Sequence, residues 1–206
     1  MSGDAEAFPV GIRPGKAPES PGTETMPEAQ IQVAKSQSVL VIRVIGRATF
    51  KVGRELREYA LAELKAMPAE IIVDLEQCEG MDSTFMGVLA MIGLNGRGKA
   101  NLVLVNANEQ HRRLLDGIGV SKVWTYAEEP VPDADWKTLC MAAEGAADMA
   151  ACGRTVLEAH KTLMELDAEN IPKFKNVVDL LSAELKSDSR LAGNAGTYGT
   201  NSPNRA

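Results

Sequence analysis

Two hydroxyls and a carboxylate stand side by side at Asp82-Ser83-Thr84, at the head of a short apolar stretch, Phe85 to Leu94. The strand-like run Glu70-Ile71-Ile72-Val73-Asp74-Leu75 ends a few residues earlier, and a small-residue helix continues to about Asn95. Where a strand hands over to a helix, the first amides are unpaired and the helix dipole favours negative charge. A serine placed there caps the helix, binds an anion or accepts a phosphate. Capping and phosphate acceptance are compatible, because a serine can cap until it is modified. Thr84 is the next hydroxyl along and the second candidate acceptor. Glu76, Glu79 and Asp82 gather acidic charge nearby; they read as a solvated loop, with Asp82 suited to orienting a kinase's metal or an incoming hydroxyl.

No catalytic set accompanies these residues. There are two histidines. His111 precedes Arg112-Arg113 on what reads as a short surface helix, and His160 falls near an apolar seam as a satisfied interior histidine. No His/Cys cluster has metal-ligand spacing, so neither a metal nor any other cofactor is expected. Asn95-Gly96-Arg97-Gly98-Lys99 follows a helix and precedes a strand, the reverse of a phosphate-binding loop, and reads as a turn. Cys78, Cys140 and Cys152 form no CxxC, and an odd count with no secretory signal fits free thiols in a reducing cytoplasm. A net charge of −6 argues against nucleic acid. No apolar run approaches the ~20 residues a membrane span needs.

The elements that must position Ser83 follow from periodicity. Gln30 to Ala34 alternates as a half-buried strand, and Val39 to Ile45 is a β-branched run ending at Gly46; together they suit a hairpin. Val52, Leu56, Ala60 and Leu64 repeat every four residues on a helix from about Lys51 to Met67, stopped by Pro68. Ile71 to Leu75 and Asn101 to Val105 are continuous apolar strands. A helix spans about Glu109 to Asp116, and Val123 to Tyr126 closes the series as an edge strand. Strands alternating with helices imply parallel pairing and a sheet buried by helices.

The flanks differ. Residues 1–28 hold five of the ten prolines and few apolar residues, and are expected to be disordered. Residues 128–187 read as a helical hairpin. Trp136, Ala143, Ala150, Leu157 and Met164 recur every seven residues, with Leu139, Ala146 and Gly153 between them. The small residues Ala143, Ala146, Ala150 and Gly153 permit another helix to approach closely. Asp167 or Asn170 caps a second helix whose apolar positions are Ile171, Phe174, Val178, Leu181 and Leu185. A lone hairpin buries too little, so it docks on the α/β domain or pairs with a second copy of the chain. Residues 188–206 read as a flexible tail.

The order of elements over residues 29–127 resembles a STAS domain, the fold of anti-sigma factor antagonists. The resemblance rests on Gly46, the Ile71–Leu75 strand, Met81-Asp82-Ser83-Thr84, Gly87-Val88-Leu89, the Asn101–Val105 strand and the passage from Leu114-Leu115 to Val123. It implies a mixed α/β sheet with packed helices, here followed by the helical hairpin. It also implies a non-catalytic cytoplasmic switch: unmodified Ser83 lies in a surface that binds a serine kinase doubling as an anti-sigma factor, phosphorylation of Ser83 releases that partner, and a phosphatase resets it. Asp82, Ser83, Thr84, Phe85 and Met86 are the expected partner-binding residues. Phe85 departs from the family pattern, which usually has glycine there. The switch so read works by charge alone and needs no large conformational change. STAS-like domains also serve as assembly subunits of signalling or lipid-transport complexes, a role the hairpin favours.

Overall fold

A computed structural model describes residues 29–131, 134–139 and 146–195. The expected disorder of residues 1–28 and the end of the expected tail, 196–206, lie outside them. Strands β1 (Gln30–Ser36) and β2 (Val39–Ala48) form the antiparallel hairpin read from the sequence. Helix α1 (Phe50–Leu64) follows, then β3 (Glu70–Asp74), β4 (Cys78–Met81), α2 (Ser83–Gly96), β5 (Asn101–Val105), α3 (Glu109–Asp116) and β6 (Thr125–Ala127). The short β7 (Lys137–Thr138) precedes two long helices, α4 (Ala146–Leu166) and α5 (Ile171–Ala195). The seven-stranded mixed sheet has the order β6-β5-β3-β2-β1-β7, and β4 pairs with the far end of β2. β2, β3, β5 and β6 run parallel, as alternating strands and helices require.

One glycine sets where β2 changes partners. Gly46 does not end its strand; it has φ 73°, a conformation that side chains disfavour, and marks a register shift in the pairing of β2. Before the bulge, Val39 to Arg43 pair with β3; after it, Gly46 to Ala48 pair with β4. The residues between Leu75 and Asp82 thus form a strand where the sequence suggested only a loop. That strand delivers the start of α2 beside the start of α1.

The layers are sheet, then α1 and α2, then α4 and α5. Leu40, Ile42, Val44, Ile71, Val73 and Leu104 point from the sheet into the core, and the four-residue repeat Val52, Leu56, Ala60 and Leu64 of α1 is buried as read. Helix α2 is the middle layer, buried from Thr84 through Gly93. That explains why its sequence is apolar on all sides. Trp124 locks it from the end by donating from Nε1 to the Leu89 carbonyl at 2.8 Å.

The opposite face of the sheet is crossed by the β6–β7 connection. Pro130, Val131 and Ala134 line a cleft over Val39, Val41, Ile72 and Val105. Nearby, Asp74 (0 % exposed) accepts hydrogen bonds from Arg43 Nε at 2.9 Å, Asn106 Nδ2 at 3.0 Å and the Glu76 amide at 3.1 Å. The Arg43 guanidinium stacks on the Trp136 ring at 4.1 Å.

This corrects the heptad assigned to Trp136 and Leu139. Both flank β7, whose pairing with β1 satisfies an otherwise open sheet edge, and α4 is described only from Ala146. Ala143 lies outside the described residues. At the other end, α5 runs to Ala195, past the boundary expected at residue 187.

His111 is a second correction. It is buried (2 % exposed), not on a surface face, and its Nδ1 has no hydrogen-bond partner among the described residues. Burial pushes its pKa below the ordinary histidine value. The unfolded chain therefore binds this proton more readily than the folded one. The stability linked to His111 is present above the unfolded value near 6.5 and is lost as pH falls from there through the lower folded value. His111→Leu is expected to flatten the fall in stability between pH 7 and pH 5, read by urea denaturation at several pH values. An unchanged slope would contradict this.

Candidate functional site

Ala48, at the end of β2, accepts a hydrogen bond from the Asp82 amide at 3.0 Å, so the two helix starts lie side by side. Asp82 joins them. Its Oδ1 accepts from the Phe85 amide in α2 and its Oδ2 from the Phe50 amide in α1, both at 2.8 Å. A single carboxylate thus sits between two positive helix ends, where negative charge is favoured. The N-cap of α2 is therefore Asp82. Ser83, read from the sequence as able to cap, occupies the first helical position, and its hydroxyl is left for another use.

That use is His160, in α4. Ser83 Oγ lies 3.0 Å from His160 Nε2, and the other ring nitrogen, Nδ1, lies 2.8 Å from the Val156 carbonyl oxygen. A carbonyl only accepts, so Nδ1 carries the hydrogen. In the neutral ring Nε2 is then the acceptor, and the Ser83 hydroxyl donates to it. The Phe174 ring of α5 packs edge-on against the imidazole with centroids 5.1 Å apart. His160 is 4 % exposed. A hydroxyl donating to an imidazole nitrogen is primed to lose its proton as it attacks an electrophile. Here, though, α4 lies directly on the serine's own helix. A Cβ built on Gly87 would stand 2.7 Å from both the Cβ and the carbonyl oxygen of Ala159.

The remaining residues expected at a partner surface divide sharply. Ser83 is partly exposed, and Asp82 is partly exposed but engaged by the first turns of both helices. Thr84 is buried, with its methyl near Gly53 of α1. Phe85 (0 % exposed) and Met86 are buried as well, which corrects their place in the expected contact surface. The reason is the position of α2 between two layers. A bulky residue where glycine is usual fills core rather than facing a partner.

The helical hairpin docks on its own α/β domain. Asn170, between α4 and α5, is buried and donates from Nδ2 to the carbonyls of Ile118 and Leu163 at 2.9 and 2.8 Å. Lys173 reaches the Gly117 carbonyl at 2.9 Å, Lys122 pairs with Asp167 at 2.8 Å, and Arg57 of α1 pairs with Glu158. Of the small-residue stripe, only the side-chain surroundings of Gly153 fall among the described residues. A Cβ on Gly153 would meet Leu185 at an ordinary 3.5 Å, whereas one on Gly87 would stand 2.7 Å from Ala159 of the hairpin.

Sequence reasoning missed two site residues. His160 was legible as interior, but its partner lies 77 residues away and no local pattern links them. Phe50 is 44 % exposed at the rim, its amide on Asp82. A large exposed aromatic at a helix start was the available signal. Among the described residues, no group of His, Cys, Asp or Glu is arranged to hold a metal, and no helix is long and apolar enough to cross a membrane.

The sequence model of a family described as "Mlab, STAS domain" matches residues 31–125, from β1 to the start of β6. Over residues 31–125 the chain is similar to the STAS-domain family. The matched segment includes Gly46, Asp82, Ser83 and all of α2, so it supplies the serine and the carboxylate that joins the two helix starts. His160 comes from beyond it. No curated protein matches the chain.

Solved structures similar to the STAS domain include the anti-sigma factor antagonist SpoIIAA in its unphosphorylated form. It is 17 % identical, covering 48 % of this chain and 89 % of that one, with a TM-score of 0.40. The Bacillus cell-fate determinant SpoIIAA in its phosphorylated form is 18 % identical, covering 48 % and 92 %, with a TM-score of 0.41. The NMR structure of the Thermotoga maritima protein TM1081 is 15 % identical, covering 62 % and 90 %, with a TM-score of 0.42.

Proposed function

We propose that this protein is a phosphorylation-switched anti-sigma factor antagonist. It binds a serine kinase that is also an anti-sigma factor while Ser83 is unmodified, and releases it once Ser83 is phosphorylated. The observation that carries this reading is the placement of Ser83. Within a STAS-family match, it stands on the first turn of α2 with its hydroxyl free of the cap, because Asp82 makes the cap. Thr84 is the weaker acceptor because it is buried. Phosphorylation adds nearly two negative charges and three acceptor oxygens beside a partner surface. Without a cationic partner, desolvating such a group at an interface costs several kcal/mol. ATP belongs to the kinase, a separate phosphatase resets the switch, and the protein itself works in the cytoplasm without catalysis.

A second reading is an assembly subunit of a larger signalling or lipid-transport complex. The observation favouring it is the outer side of the hairpin, where Met149, Ile171, Val177 and Leu180 are exposed and suited to a further protein or a second copy. One experiment separates the readings. Ser83→Ala is expected to keep the kinase bound in the presence of ATP, and Ser83→Asp to weaken the complex about tenfold or more, read by isothermal titration. Partners that bind both variants equally would sink the switch and favour assembly.

A further inference from the structure

We propose that the α4–α5 hairpin is the moving part of the switch: it docks over Ser83 when the serine is unmodified and is released when Ser83 carries a phosphate. This rests on Ser83 being the modified residue, and it replaces a switch that acts by charge alone with one that changes shape.

The Ser83 hydroxyl is one hydrogen bond, 3.0 Å, from His160 Nε2. A phosphoryl group pointing the same way has to occupy the volume of the imidazole. The ring cannot retreat, since the Val156 carbonyl holds its far nitrogen and Phe174 packs on its face. Nor can the helix slide closer or tilt in, because Ala159 already rests on Gly87 with no room for a methyl group between them. If phosphoserine instead turns outward to water, His160 Nε2 stays buried without a donor. Both outcomes disfavour the docked hairpin.

The hairpin is also separable from the α/β domain. Its polar anchors among the described residues include Asn170 to Ile118, Lys173 to Gly117, Lys122 to Asp167, Arg57 to Glu158, Cys152 to the Phe50 carbonyl and Ser83 to His160, each a discrete side-chain contact. Leu163 and Ala159 are buried in the core, with Leu166 and Phe174 packed against it. No strand of the parallel sheet comes from it, so β2, β3, β5 and β6 keep their pairing when α4 leaves. Release uncovers the face of α2 around Gly87 and the Ala159–Leu163 face of α4 in one step. An interaction made by either face is then governed by one serine.

The test needs no kinase, so its outcome is independent of whether a partner is ever found. The full chain is made with phosphoserine installed at position 83 by nonsense suppression, and amide hydrogen exchange is compared with the unmodified chain. Residues 155–165 of α4 are expected to exchange at least tenfold faster in the phosphoprotein, with residues 71–73 and 102–104 of the sheet unchanged. Gly87→Ala, which pushes on Ala159 without adding charge, is expected to give the same pattern. Unchanged or slower exchange in α4 of the phosphoprotein would overturn the proposal, since it would mean that the phosphate is accommodated or even held by His160. Loss of protection in the sheet together with α4, in either variant, would also overturn it, because the hairpin would not be a separable unit. So would a Gly87→Ala protein with full protection in α4.

Discussion

Ala159→Glu is expected to detach the C-terminal hairpin from the α/β domain while leaving that domain folded. Ala159 is fully buried and its backbone lies against Gly87, so there is no space for a longer, charged side chain in that seam. An unpaired charge forced into such a site costs about 3–5 kcal/mol. The hairpin can avoid that cost by swinging into solvent, so the loss actually measured is capped by the free energy of docking. The expected signature is a melt that separates into two transitions, together with exposure of His160 to diethylpyrocarbonate. A single transition at the wild-type temperature would show that α4 is not packed against α2 as described.

Asp74→Ala is expected to have a comparable effect on the other side of the sheet. The carboxylate is wholly buried and accepts from Arg43, Asn106 and the Glu76 amide. Removing it strands Arg43, itself largely covered and stacked on Trp136, and leaves the Asn106 amide without its acceptor. Breaking a buried ion pair from one side costs about 3–5 kcal/mol. Urea denaturation should show that loss, and Asp74→Asn, which keeps a hydrogen-bonding oxygen, should show less of it. A loss below about 1 kcal/mol for Asp74→Ala would mean that water takes over the acceptor role.

The α/β domain was legible because its signals are local. The four-residue repeat of α1, the apolar strands at Ile71 and Asn101 and the small-residue helix after Ser83 each declare themselves within a short window, and each is found where expected. The failures arose where distant chain segments decide the outcome. Gly46 was read as a strand end because a bulge that changes partners looks the same as a stop. Trp136 and Leu139 kept a seven-residue rhythm with the hairpin, but the open edge of β1 offered hydrogen bonds that captured the segment as a strand. His111 beside two arginines looked like a surface residue; only packing shows that its ring turns inward.

The candidate site divides in the same way. Ser83 and its helix start could be read from a few consecutive residues. The division of labour between Asp82 as cap and Ser83 as free hydroxyl needed the Phe50 and Phe85 amides in place. Phe85 and Met86 changed from expected contacts to core because a second helical layer covers α2. That layer, with His160, comes from outside the segment that resembles the family.

The most direct test of the switch is to isolate the protein from its native cells in partner-bound and partner-free pools and quantify phosphate at Ser83 in each by mass spectrometry. Unmodified Ser83 in the bound pool and phosphorylated Ser83 in the free pool is the expected result. Equal modification of Ser83 in both pools, or phosphate found only at Thr84, would contradict it.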